Sequence, residues 1–97
     1  MGTFVVERTY VGDRGTRAGW VPQHRAYLEE LIERGVLLAA GPVVGVNGGL
    51  LIYRAADRSD LDDVLAADPF ARAGLVASVR VLDWNPTTGI WAAKGVH

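Results

Sequence analysis

A chain of 97 residues, nearly half of them hydrophobic and 22% charged, supports one modest core, and a single domain spanning 1–97 is expected. The formal net charge is −1 and both signs are interspersed, so neither nucleic acid nor a membrane surface is an expected partner. The absence of cysteine excludes disulfides, thiolate chemistry, cysteine-bound zinc and iron–sulfur clusters, and no apolar run approaches the roughly 20 residues of a membrane span.

Phe4 to Tyr10 reads as the first strand, because its β-branched and aromatic residues put Phe4, Val6, Arg8 and Tyr10 on one side. The following VGDRGTRAGW, with three glycines and mixed charge, reads as a loop. It lacks both the Gly-Lys-Ser/Thr ending and the Rossmann glycine spacing, so no nucleotide cradle is expected. A helix begins near Pro22, whose missing N–H suits a first turn, and stops at Gly35. Its spacing gathers His24, Tyr27, Leu28, Leu31 and Ile32 onto an inward stripe, with Arg25, Glu29, Glu30, Glu33 and Arg34 opposite.

Val36 to Ala40 is too short for a helix and predicts a second strand, covered on both faces. Gly41-Pro42 turns the chain. Asn47-Gly48 accepts positive φ, so Gly49 to Ala55 should return antiparallel as the third strand. A second helix opens at Ser59-Asp60-Leu61-Asp62 with Ser59 as its cap and Leu61, Val64 and Leu65 inward. Pro69-Phe70 and Ala71 to Gly74 form a short helical turn, and Ala77 to Leu82 is the fourth strand. Ile90 to Lys94 reads as a short fifth strand or an arm, ahead of a mobile tail to His97. The order βαββαβ predicts a ferredoxin-like α+β sandwich with both helices on one face of an antiparallel sheet. Consecutive apolar residues in the middle strands then call for cover on the other face, and a second copy packed sheet to sheet would supply it.

Two residues carry the candidate chemistry. His24 can exchange a proton near neutral pH, although a helix-start histidine can equally be bonded to a backbone carbonyl. Asp68 precedes proline, which makes it a natural cap for the amides of Phe70 or Ala71, while its other oxygen could orient His24. Arg8 reads as a solvated edge charge or as a group for an anionic substrate, the edge charge being the simpler reading. Tyr10, Trp20 and Tyr53 could line an apolar pocket with polar handles, whereas Phe70 and Trp84 read as core or interface anchors. The two histidines, His24 and His97, form no metal-binding set, and no metal or other cofactor is expected.

In order and spacing these residues resemble the YCII-related (YciI-like) family of small bacterial proteins. The resemblance rests on His24 with Tyr27-Leu28, Leu31, Gly35, Leu37-Leu38-Ala39-Ala40-Gly41-Pro42, a glycine-led strand, and Asp68-Pro69-Phe70 with Gly74. It implies a ferredoxin-like fold that dimerises as an α+β barrel, and it implies that His24 and Asp68 correspond to a histidine and an aspartate proposed to share a pocket. One relative eliminates halide from a chlorinated hydroxyquinol. The family often carries an arginine or small polar residue just before the histidine, where this chain has Trp20-Val21-Pro22-Gln23, so the resemblance implies that a substrate-orienting group is either lost there or replaced by Gln23.

The expected function is therefore that of a cofactor-independent lyase or isomerase acting on a small molecule, with His24 moving a proton and Asp68 orienting it. The alternative is a non-catalytic dimer that binds a small ligand or serves another enzyme as an accessory module. The expected state is a soluble cytoplasmic homodimer, or an assembly of such dimers, since no basic region followed by an apolar core opens the chain.

Overall fold

Four antiparallel strands in the order β2-β3-β1-β4 carry the helices on one face in a computed structural model, which describes residues 1–92. The elements are β1 (Gly2–Tyr10), α1 (Arg14–Arg17), α2 (Val21–Glu33), β2 (Leu37–Pro42), β3 (Gly48–Ala55), α3 (Arg58–Ala67), α4 (Pro69–Arg72) and β4 (Val76–Trp84). This is the α+β ferredoxin-like arrangement, in which β1 and β3 pair at the centre and each helix spans the sheet between strands.

The period of β1 decides the core. Phe4, Val6 and Arg8 are buried beneath the helices, whereas Glu7 faces out and meets Arg80 at 3.6 Å across the sheet. Val6, Leu31, Leu61 and Tyr53 are the most deeply buried apolar contributors, so they join both central strands to both long helices. Truncating Leu31 or Leu61 to alanine at such a site costs about 2–5 kcal/mol, because the vacated volume relaxes only in part. The Tyr27 hydroxyl adds a directional tie by donating to the Val64 carbonyl at 2.7 Å, fixing α2 against α3.

Several local expectations are corrected. The glycine-rich segment after β1 is not a plain loop: it contains α1 and a 3₁₀ turn over Ala18–Trp20. Asp13 caps α1 by accepting from the Thr16 amide at 3.0 Å, and Thr16 returns the bond to the Asp13 amide, a reciprocal cap that outweighs the glycine content. Ile32 is 57% exposed, so the inward stripe of α2 is narrower than its apolar residues suggest. The cap of α3 is Asp57 rather than Ser59, its carboxylate accepting from the Asp60 amide at 2.8 Å. Between β2 and β3 the positive φ belongs to Gly45, at 80°, and not to Asn47, whose side chain bonds elsewhere.

The second strand is not covered on both faces within one chain, since Leu38 is 41% exposed. Val5, Leu50, Ile52 and Leu82 share the outer sheet face with Glu7, Thr9 and Arg80. Beyond β4, Trp91 meets Trp84 edge to face at 6.4 Å, and Ile90 to Ala92 form turns rather than a fifth strand. The remainder of that expected strand and the tail to His97 lie outside the described residues.

Candidate functional site

Asp68 ends α3 and begins α4, and that junction buries its side chain completely. The local cause is the Asp-Pro step: proline opens the new turn without needing a partner for its nitrogen, and the Phe70 amide donates to Asp68 Oδ1 at 2.9 Å. The same oxygen lies 3.0 Å from His24 Nδ1, while Oδ2 accepts from Arg8 Nη1 at 3.0 Å. One carboxylate thus gathers β1, α2 and α4.

Burial alone would push the Asp68 carboxyl up. The His24 hydrogen bond, the Arg8 charge and the Phe70 amide outweigh it and hold the carboxyl below its usual range. Burial likewise disfavours the Arg8 cation, but Asp68 and the Tyr10 hydroxyl outweigh it and raise Arg8 further. An ionised carboxylate has only acceptor sites, so Nδ1 carries the proton of this bond and Nε2 is left clear of Asp68. The imidazole stacks on Phe70, with centroids 3.9 Å apart and planes 11° from parallel. Tyr10 meets the same Phe70 ring edge to face at 5.7 Å. His24 thereby has its Nδ1 edge fixed by Asp68 and one face fixed by Phe70.

The ring borders an open recess of about 1170 Å³ between the start of α2, the end of β1 and the β2–β3 hairpin. Its walls mix Val21, Leu28, Leu51 and Phe70 with arginine side chains. Glycine shapes the floor, where a Cβ on Gly49 would come within 3.3 Å of the Tyr10 hydroxyl. The β1–β4 register shifts between Thr9 and Tyr10, where β1 meets this space.

Of the residues singled out in the sequence, His24 and Asp68 come into contact, and Arg8 and Tyr10 join them. Arg8 is a correction to the simpler reading: it is no solvated edge charge but a buried cation, with Nε donating to Tyr10 Oη at 3.2 Å. Trp20, Gln23 and Tyr53 do not line the recess. Trp20 is 40% exposed on the 3₁₀ turn, and Gln23 points to solvent because one helical step rotates it away from the face of His24. Tyr53 is a core side chain paired across the sheet with Phe4 and Leu37, and burial pushes its hydroxyl pKa up.

Sequence reasoning passed over Arg17 and Asn47. Asn47 Nδ2 donates to the carbonyls of Tyr10 and Gly12, and its Oδ1 accepts from Arg17 Nη1 at 3.0 Å. The hairpin is thus tied to the end of β1, and Arg17 is held with its guanidinium 4.3 Å over the Tyr10 ring. Among the described residues no three of histidine, aspartate and glutamate gather as a metal ion would require.

The family model for the YCII-related domain matches residues 3–85. Among solved structures, the chain is similar to 5-chloro-2-hydroxyhydroquinone dehydrochlorinase from Burkholderia phenoliruptrix AC1100, in complex with 2,5-dihydroxybenzoquinone. The TM-score is 0.75 at 28% identity, over 84% of this chain and 92% of that one. A candidate antibiotic biosynthesis monooxygenase from Bacteroides thetaiotaomicron VPI-5482 shares the fold, with a TM-score of 0.54 at 22% identity over 96% of this chain and 95% of that one. No curated protein sequence matches the chain.

Proposed function

Because the chain belongs to the YCII-related domain family, we propose that it acts on a small molecule as a lyase or isomerase, with His24 transferring the proton. Asp68 is the positioning residue. The observation that carries this reading is the 3.0 Å contact between His24 Nδ1 and a fully buried, ion-paired Asp68 carboxylate. A ring held by its Nδ1 edge and by one face offers Nε2 to a substrate in the recess at little further entropic cost.

The dehydrochlorinase likeness supports an elimination in particular. In such a step Nε2 takes a proton from an acidic O–H or C–H, the electrons of that bond form a new double bond, and chloride leaves with the pair of the C–Cl bond. The net change is loss of HCl and requires no electron acceptor. The proposal includes a homodimer joined through the outer sheet face, on which Leu82 is 37% exposed.

The test is turnover of 5-chloro-2-hydroxyhydroquinone, small lactones and halogenated acids by the wild type and by His24→Gln and Asp68→Asn. General acid–base work of this kind contributes about 10²- to 10⁴-fold, so His24→Gln should lose that much with its fold intact. Turnover of an accepted substrate unchanged in both variants contradicts the mechanism. Binding by the wild type without turnover of any compound favours the non-catalytic alternative.

A further inference from the structure

The recess carries a charge that the rest of the molecule does not. Arg8, Arg14, Arg17 and Arg25 line it; Asp68 balances Arg8, which leaves three arginines against one lining carboxylate, Asp13, in a chain whose formal net charge is −1. Asp13 Oδ1 accepts from the amide and hydroxyl of Thr16. The imbalance is therefore local.

Two of the arginines are held rather than floating. Arg17 spends only Nη1 on the protein, donating to Asn47 Oδ1 at 3.0 Å and to the Asp13 carbonyl at 3.3 Å, while its plane rests on Tyr10. Among the described residues no group accepts from its Nε or Nη2. A guanidinium fixed in this way loses little freedom when it grips a ligand oxygen. Arg8, only 4% exposed, gives Nη1 to Asp68 and Nε to Tyr10, and its buried Nη2 has no acceptor among the described residues. Asp68 balances the Arg8 charge, so the unmet need is that of the single Nη2 donor, and a buried donor left without an acceptor is costly. Val21, Leu28, Leu51 and Phe70 add an apolar stretch to the wall. That surface suits a carbon body rather than a bare inorganic ion.

We propose that the recess binds a small organic oxyanion, a compact apolar or aromatic body bearing one carboxylate or phenolate. Arg17 is its direct hydrogen-bonding clamp, and Arg8, held by Asp68, lies at the floor with its Nη2 donor unmatched. The proposal rests on the reading that His24 works in the same recess, and it names the substrate class that recess selects. Neither arginine precedes His24 on its helix, so the anion-holding role passes to β1 and α1 instead of to Gln23.

The test measures calorimetric binding of benzoate and 4-nitrophenolate against their uncharged counterparts, benzamide and nitrobenzene. Each anion should bind at least about tenfold more tightly than its neutral counterpart, as a charge-assisted bond to arginine implies. Arg17→Gln should bring the anions down to the neutral level, and Arg17→Lys should restore part of the difference. Arg58→Gln, on α3 and outside the recess, should change nothing. Raising ionic strength from about 0.01 to 1 M, which shortens the Debye length from about 30 to 3 Å, should weaken the anions only. Equal binding of anions and neutral compounds, anion binding indifferent to Arg17→Gln, or binding of none of the four overturns the proposal. Turnover that needs His24 but proceeds on neutral substrates alone would remove this inference and leave the proton-transfer reading standing. Arg17-dependent anion binding together with turnover indifferent to His24 would do the reverse.

Discussion

Asp68 Oδ1 accepts from the Phe70 amide at 2.9 Å and faces His24 Nδ1 at 3.0 Å, so the atom that caps α4 also sets the orientation of the imidazole. A helix cap and a candidate catalytic contact are one oxygen. Structural and chemical consequences of changing Asp68 are therefore coupled, and they separate only through variants that keep one and lose the other.

Asp68→Ala should destabilise the protein by about 3–5 kcal/mol, because it leaves the buried Arg8 guanidinium uncompensated as well as removing a cap. Arg8→Met should restore part of that loss when combined with it. Urea denaturation of the two single variants and the double variant measures this; strictly additive losses would mean that the 3.0 Å pair contributes no coupling.

The depressed pKa of Asp68 fixes the sign of an acid effect. A carboxyl held lower in the folded state than its ordinary value near 3.9 contributes stability that is complete above that value, and loses it as pH falls through the folded pKa. Unfolding free energy should thus fall more steeply below about pH 4 in the wild type than in Asp68→Asn. Parallel pH profiles for the two proteins would contradict the assignment.

Phe70→Leu keeps an apolar side chain at the α4 start but removes the ring on which His24 stacks at 3.9 Å. A loss of about 1–3 kcal/mol in stability is expected. Turnover should fall beyond what partial unfolding explains, as the imidazole gains freedom to turn about its remaining hydrogen bond. Denaturation curves and rates on the same preparation separate the two effects.

Gly48→Ala tests how the floor of the recess is built. A Cβ there would stand 2.2 Å from the Arg8 carbonyl oxygen, a backbone atom that cannot step aside without disturbing the β1–β3 pairing. The variant should lower the melting temperature by several degrees, since about 1 kcal/mol shifts a domain of this size by roughly 4–8 °C. An unchanged melting temperature would show that the strands separate freely at this end.

Rules acting over a few residues made much of this legible in the sequence. Asp68-Pro69 announces a cap because the signal is wholly local, and Phe4, Val6 and Arg8 share a side because a strand alternates. Arg8 reads as an edge charge only until its partner is known, and that partner lies 60 residues away. Gln23 is tied to His24 by nearness in sequence, which on a helix is a poor guide to nearness in space, and Trp20 and Tyr53 read as pocket walls from their aromatic chemistry alone. Arg17 and Asn47 escaped notice since each has an ordinary local reading, as a loop charge and a turn residue, and only the folded hairpin brings them to 3.0 Å.

The central claim is that Asp68 holds the Nδ1–H of His24 and leaves Nε2 free to exchange a proton. Nitrogen-15 NMR of the His24 ring tests it directly, because protonated and bare ring nitrogens have well-separated shifts. In the wild type with neutral imidazole, the account predicts the Nδ1–H tautomer, with that preference lost in Asp68→Asn. An Nε2–H tautomer in the wild type, or one indifferent to Asp68→Asn, would contradict it.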